Sequence, residues 1–168
     1  PKLDDWGPLV LKDACKRAKL PFIYINARRD QRPQFNPLQG VPKEQLITLL
    51  VAGYDLYPKG SPDDFYRILE QEAVEQLVGE APANPTIREL YELSHKLFSG
   101  EEAENIQSLL SKLKQDSKLA SINAKTGPTF DQLLNTGGVY WFVGSEDDPS
   151  VVRIQRMFAY RSIQFFRN

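Results

Sequence analysis

The chain has 168 residues, 41% of them hydrophobic and 26% charged, the make-up of a globular protein of ordinary domain size. Its 21 basic and 22 acidic residues leave a net charge of -1, without the positive excess that marks a dedicated nucleic-acid binder. Cys15 and His95 are the only cysteine and histidine, which excludes an internal disulfide and is too few for a His/Cys metal centre.

Residues 4 to 19 predict a short helix, with Leu9, Leu11, Ala14, Cys15 and Ala18 at helical spacing. Lys12, Lys16, Arg17 and Lys19 load its later turns, where positive charge suits the helix dipole. Pro21 ends it. Phe22 to Asn26 is a short apolar, β-branched and aromatic run, read as a buried strand. Arg28, Arg29, Asp30, Gln31 and Arg32 form a charged loop, and Phe35-Asn36-Pro37-Leu38 stops the chain.

Four helix patterns follow. Over residues 42 to 57, Leu46, Ile47, Leu50 and Tyr54 share a face, and Pro58-Lys59-Gly60 breaks the pattern. Ser61 is placed as the cap of the next helix, with Pro62 first and Asp63 and Asp64 in its first turn; Phe65, Leu69, Ala73 and Leu77 recur along it. Residues 79 to 85 are a linker. Thr86 and Glu89 make a capping box ahead of Ile87, Leu90, Tyr91, Leu97 and Phe98, and Ser99 with Glu102 repeats it ahead of Ile106, Leu109, Leu110 and Leu113. A short helix is expected over 118 to 124, and one more turn over 130 to 134. Gly137-Gly138 punctuates the chain. Val139 to Val143 then reads as a strand, and a long helix runs from about Asp148 to Phe166.

Two lone strands do not make a stable sheet in water. The order helix, strand, several helices, strand, helix therefore predicts a mainly α chain. In it, a multi-helix domain (41–136) is inserted between two flanks (1–40 and 137–168) of an α/β domain. The chain starts at Pro1 rather than methionine and reads as a piece of something longer. No apolar run approaches the ~20 residues of a membrane span, no signal peptide leads the chain, and the lone cysteine favours a reducing compartment.

Several features together carry a resemblance. They are Pro1-Lys2 before an acidic pair, the strand, Asn36-Pro37-Leu38, the helix with Tyr66 and Arg67, and Gly138-Val139-Tyr140-Trp141-Phe142-Val143 leading to a long helix. This resembles the TraG/TraD-like coupling ATPases of type IV secretion and conjugation. In that family an all-helical domain interrupts a RecA-like nucleotide-binding domain. Pro1-Lys2 would be the remainder of an Asp-Pro-Lys motif, although the family often has glycine next, where this chain has Leu3-Asp4-Asp5-Trp6. The resemblance implies a hexameric parent anchored in the bacterial inner membrane, using ATP and Mg²⁺. Its helical domain would face the cytoplasm and bind relaxase or effector proteins, with DNA as a further partner. This chain carries no G-x-x-x-x-G-K-[ST], so no cofactor and no catalytic residue is assigned to it, and ATP hydrolysis is not expected of it alone.

Candidate contacts follow. Lys112, Lys114, Lys118 and Lys125 form either a phosphate-contacting surface for DNA or a solvated face beside Glu101, Glu102, Glu104 and Asp116. Arg28, Arg29 and Arg32 either clamp phosphate or reach a neighbouring subunit's nucleotide, or else salt-bridge the joint. Arg153 and Arg156, three apart on the last helix, suit a subunit interface of the ring that the resemblance implies. Asp63, Asp64, Glu70, Glu72 and Glu75 are better explained as helix residues than as acid–base groups, and Cys15 and His95 lie on different elements, which leaves no nucleophile–base pair. Tyr140, Trp141, Phe142, Phe158, Tyr160, Phe165 and Phe166 can stack on bases but fit core packing better. The reading is a substrate-recognition domain of a coupling ATPase. The alternative is a freestanding helical adaptor with no motor, in which the two strands pair within this chain.

Overall fold

The computed structural model describes residues 3–26, 34–143 and 148–167. Eight α-helices, one 3₁₀ turn and two strands follow in order: α1 (Leu3–Ala18), β1 (Phe22–Asn26), α2 (Lys43–Tyr54), α3 (Asp64–Glu80), α4 (Ile87–Leu97), α5 (Gly100–Asn105), α6 (Gln107–Ser117), the 3₁₀ turn Ala120–Ile122, α7 (Phe130–Thr136), β2 (Val139–Val143) and α8 (Pro149–Arg167). The chain is mainly α-helical with a small parallel sheet.

β1 and β2 pair in parallel, Phe22 opposite Val139 through Asn26 opposite Val143. Parallel strands cannot be joined by a hairpin, and here the crossover is the entire helical domain, α2 to α7. The Val139 N–H donates to the Pro21 carbonyl at 3.0 Å and starts the ladder. α1 lies on one face of the sheet, so close that a Cβ on Gly7 would sit 2.8 Å from the Trp141 ring. On the other face Ile23 and Tyr140 pack against the helical core, Tyr140 meeting Phe158 at 5.4 Å between ring centroids. The sheet is thus the middle of three layers. Among the described residues neither strand has a second neighbour.

The core sits between α2, α3, α4, α6 and α8. Leu46, Leu49, Leu50, Leu77, Ile87, Leu90 and Leu109 are all but sealed from solvent, each worth about 1.5–3 kcal/mol of burial. Phe35, Phe130 and Phe158 form an aromatic chain, with centroids 5.4 and 5.0 Å apart, that ties the start of the helical domain to α7 and α8. The joint at Phe35-Asn36-Pro37-Leu38 is buried rather than a surface loop. Asn36 turns its own backbone by accepting from Leu38 N–H at 3.0 Å and donates its amide to Pro85 O at 2.9 Å; Phe35 N–H donates to Ser121 O at 2.8 Å. An Asx turn needs this residue type, since its short side chain replaces a backbone partner.

Four local expectations change. Ser61 does not cap α3; the helix starts at Asp64, whose carboxylate reaches backwards to the N–H groups of Lys59, Gly60 and Ser61 and organises the turn before it. Phe65 is 61% exposed instead of joining the stripe that Ala73 and Leu77 complete. Ser99 makes no side-chain cap, and the expected fourth helix is two, α5 and α6, broken at Ile106, which is itself buried. The helix expected over 118–124 shrinks to the 3₁₀ turn, because Asn123 donates its amide to the carbonyls of Asp116 and Leu119 and closes the end of α6 instead. The box at Thr86 and Glu89 forms as expected, and a second box, unforeseen, forms at Thr129 and Gln132.

Candidate functional site

α3, the α5–α6 break and the start of α8 converge on a cleft of about 690 Å³. Its floor is made by Tyr54 and Arg153. One wall is Asp63, Tyr66 and Arg67 from α3 and the turn before it; the other is Glu104 to Lys112, and Arg156 stands at the rim. The break at Ile106 creates the second wall, since an unbroken helix would carry residues 104–108 straight on. Glu70, 4% exposed, holds that wall to α3 by accepting from Leu109 N–H at 2.8 Å, occupying a donor in the first turn of α6.

The floor rests on a buried ion pair. Arg153 donates from Nε to Asp116 Oδ2 at 2.8 Å and from NH2 to Asp116 Oδ1 at 2.7 Å, a two-pronged contact, with Gln115 and Ser150 taking further bonds. The same guanidinium lies 5.8 Å over the Tyr54 ring. Burial pulls the Arg153 pKa down, but the Asp116 carboxylate outweighs it and the net direction is up. Burial, and then the Asp116 charge, push the Tyr54 hydroxyl well above the ordinary tyrosine value. That hydroxyl is sealed beside the Asp116 carboxylate, which acts on it as a hydrogen-bond partner without reaching full hydrogen-bond geometry. Tyr54→Phe is therefore expected to leave the fold intact and to shift stability by no more than about 1 kcal/mol, read from the urea midpoint at unchanged slope.

At the cleft mouth, Asp64 gathers the three N–H groups of the Lys59–Ser61 turn and the Arg67 guanidinium at 2.6 Å. The Lys59 N–H first, and Arg67 with the Ser61 and Gly60 N–H groups after it, hold its pKa at about 2, against 3.8 unperturbed. A depressed carboxylate stabilises the folded state above the unperturbed value, and that contribution disappears as pH falls toward the folded one. Acidification from pH 4 to pH 2 should therefore loosen the turn before α3. Asp64→Asn should already show the loosened turn at neutral pH and lose part of the acid dependence, as measured by amide exchange of Lys59–Ser61.

Of the six sequence-selected cations among the described residues, the structure brings three to this cleft and leaves three outside it. Lys112, Arg153 and Arg156 line it, whereas Lys114, Lys118 and Lys125 do not. Lys112 and Lys114 point to opposite sides of α6, because two residues turn a helix by about 200°. Lys125 pairs with Glu89. Arg28, Arg29 and Arg32 lie outside the described residues. Arg153 is buried by Asp116, so Arg156 alone of its pair is exposed, 3.5 Å from Asp55.

Sequence reasoning passed over the structural roles of Asp116 and Glu70. A signal existed: Asp116 falls three residues after Leu113 and Glu70 three before Ala73, each on the apolar stripe of its own helix, where a charge requires a buried partner.

The ATP and Mg²⁺ that the resemblance implies belong to a parent's phosphate loop rather than to this cleft. The sequence has no phosphate loop, and among the described residues no three His, Cys, Asp or Glu side chains converge to hold a metal. No described helix is long and apolar enough to cross a membrane. No family model, curated protein or solved structure matches the chain.

Proposed function

We propose that this chain is a substrate-recognition domain carried on the α/β motor domain of a coupling ATPase of the TraG/TraD kind, and that it recruits protein substrates, relaxase or effector, rather than gripping DNA itself. β1 and β2 pair within the chain, as a freestanding adaptor also expects; what supports the motor reading is that this parallel pair, covered on both faces and joined by the helices α2 to α7, has no further strand beside it among the described residues. Parallel pairs belong to sheets of several strands sandwiched between helices. The strands FIYIN and VYWFV carry no lysine, glutamate or proline to protect their edges, which suits strands that have further neighbours. A freestanding adaptor also accounts for pairing within the chain, but it leaves two bare edges.

Protein recruitment is favoured by the scatter of the basic side chains. Lys112 stands apart from Lys114 and Lys118, Lys125 is paired with Glu89, and the cleft that takes Lys112 is also lined by Asp55, Asp63, Glu70 and Glu104, which repel a polyanion. Two experiments test the reading. The codons preceding Pro1 should encode a phosphate loop, and their failure to do so removes the motor. A titration of the chain with relaxase protein, and with labelled single-stranded and duplex DNA, at about 50 and 200 mM salt should show protein binding with little salt dependence. DNA binding that collapses between those salt concentrations, without protein binding, overturns the recruitment reading.

A further inference from the structure

We propose that the cleft between α3, the α5–α6 break and α8 is a docking site for a short extended protein segment bearing both an acidic and a basic side chain. The inference rests on the recruitment reading for its biological partner, but the site itself stands on the geometry of the cleft. Three features carry it. The volume lies within the range of about 300–1,000 Å³ typical of ligand clefts. Its charges are mixed in sign and many are already spoken for: Arg67 by Asp64, Arg153 by Asp116, Lys59 by Asp55. What remains to meet a ligand is Lys112 and Arg156 on one sign, and Asp63 and Glu104 on the other. Arg156 has only a long contact to Asp55, and no ion pair is formed by Lys112, Asp63 or Glu104 among the described salt bridges.

The third feature is the polar but uncharged ground between those groups. Asn105, Gln107 and Ser108 lie together at the α5–α6 break, with side chains of the kind that bond peptide backbone. Tyr66, 51% exposed, adds an aromatic edge at the opposite wall and rests against Phe65 at 5.6 Å. An anionic ligand such as a phosphate chain is disfavoured by Asp63 and Glu104, and a purely cationic one by Lys112 and Arg156. A segment of alternating charge satisfies both sets, and charge complementarity of this sort sets register and partner choice.

The test uses the isotope-labelled chain with four probes: a short blocked peptide alternating glutamate and lysine with serine and glycine between them, its all-glutamate and all-lysine counterparts, and a short oligothymidylate. Amide shifts on adding the mixed peptide are expected to cluster at residues 63–70, 104–112 and 149–156, with the single-sign peptides weaker. Lys112→Glu and Glu104→Lys, both at solvent-reachable positions, should each weaken the mixed peptide about two- to five-fold, and Lys112→Glu should regain binding toward the all-lysine peptide. Shifts elsewhere, no shifts, or a preference for the all-glutamate peptide or the oligonucleotide overturn the proposal. If relaxase binds and the double variant Lys112→Ala/Glu104→Ala, which removes both charges, leaves that binding unchanged, recruitment stands and this site falls. If the mixed peptide occupies the cleft while no relaxase or effector binds, the site stands and recruitment falls.

Discussion

Replacing Asp116 with alanine should cost about 3–5 kcal/mol of stability, the largest effect expected of any single charged residue here. Arg153 is left 6% exposed with its strongest partner gone, and its cation is then held against the Tyr54 ring with only the weaker Asp148 charge and the Gln115 and Ser150 oxygens to offset it. The result is read in urea unfolding followed by circular dichroism. For a domain whose whole stability is about 5–15 kcal/mol this can leave too little folded protein, so Asp116→Asn serves as the milder variant: it keeps the shape and one hydrogen bond and should lose less. A paired replacement, Asp116→Leu with Arg153→Met, should recover most of the loss, because an apolar pair of similar volume needs no desolvation. If Asp116→Ala costs under about 1 kcal/mol, the pair is not sealed as described.

Gly138→Val carries the second large effect. Gly138 has φ +103°, and a Cβ there would lie 2.3 Å from the Pro21 carbonyl oxygen, which is backbone and cannot swing aside. The left-handed conformation alone costs a branched residue about 1–3 kcal/mol, and the clash adds to it. The damage is local. The Pro21 carbonyl accepts from Val139 N–H, the first bond of the ladder, so β2 should detach from β1 while α2, α4 and α6 keep their packing. Hydrogen exchange should show protection lost at 22–26 and 139–143 and retained at 46–51 and 87–93. Uniform loss across the chain would mean that the sheet and the bundle form one unit of stability.

The sequence made the elements readable where one physical signal dominated. The continuous apolar runs at Phe22–Asn26 and Val139–Val143, the capping box at Thr86, and the stops at Pro58 and Gly137 each leave a pattern in a few neighbouring residues, and each element appears near its expected place. What could not be read depends on partners distant in the chain. Glu70 looks like one acid among several until Leu109 N–H is known to sit beside it. Arg153 and Arg156 look like a matched pair, and only Asp116, 37 positions away, separates the buried one from the exposed one. The break at Ile106, which shapes the cleft, falls at the head of the apolar stripe Ile106, Leu109, Leu110 and Leu113, which gives no hint of it. Lys112 and Lys114 share a segment but not a face.

The long excursion between the paired strands has a consequence for how the protein is made. β1 leaves the ribosome about 110 residues before β2. At roughly 5–20 residues per second, its apolar FIYIN segment waits about 5–20 s without its partner. Closing so long a loop in an open chain is entropically costly and slow. Folding of the bundle first shortens that search, because Phe35 is fixed to Ser121 and Phe130 lies between Phe35 and Phe158. The helical domain thus acts as a clasp during synthesis, holding the two ends near each other before the sheet can zip. Substitutions that weaken the bundle should then appear first as insoluble protein, through the waiting strand.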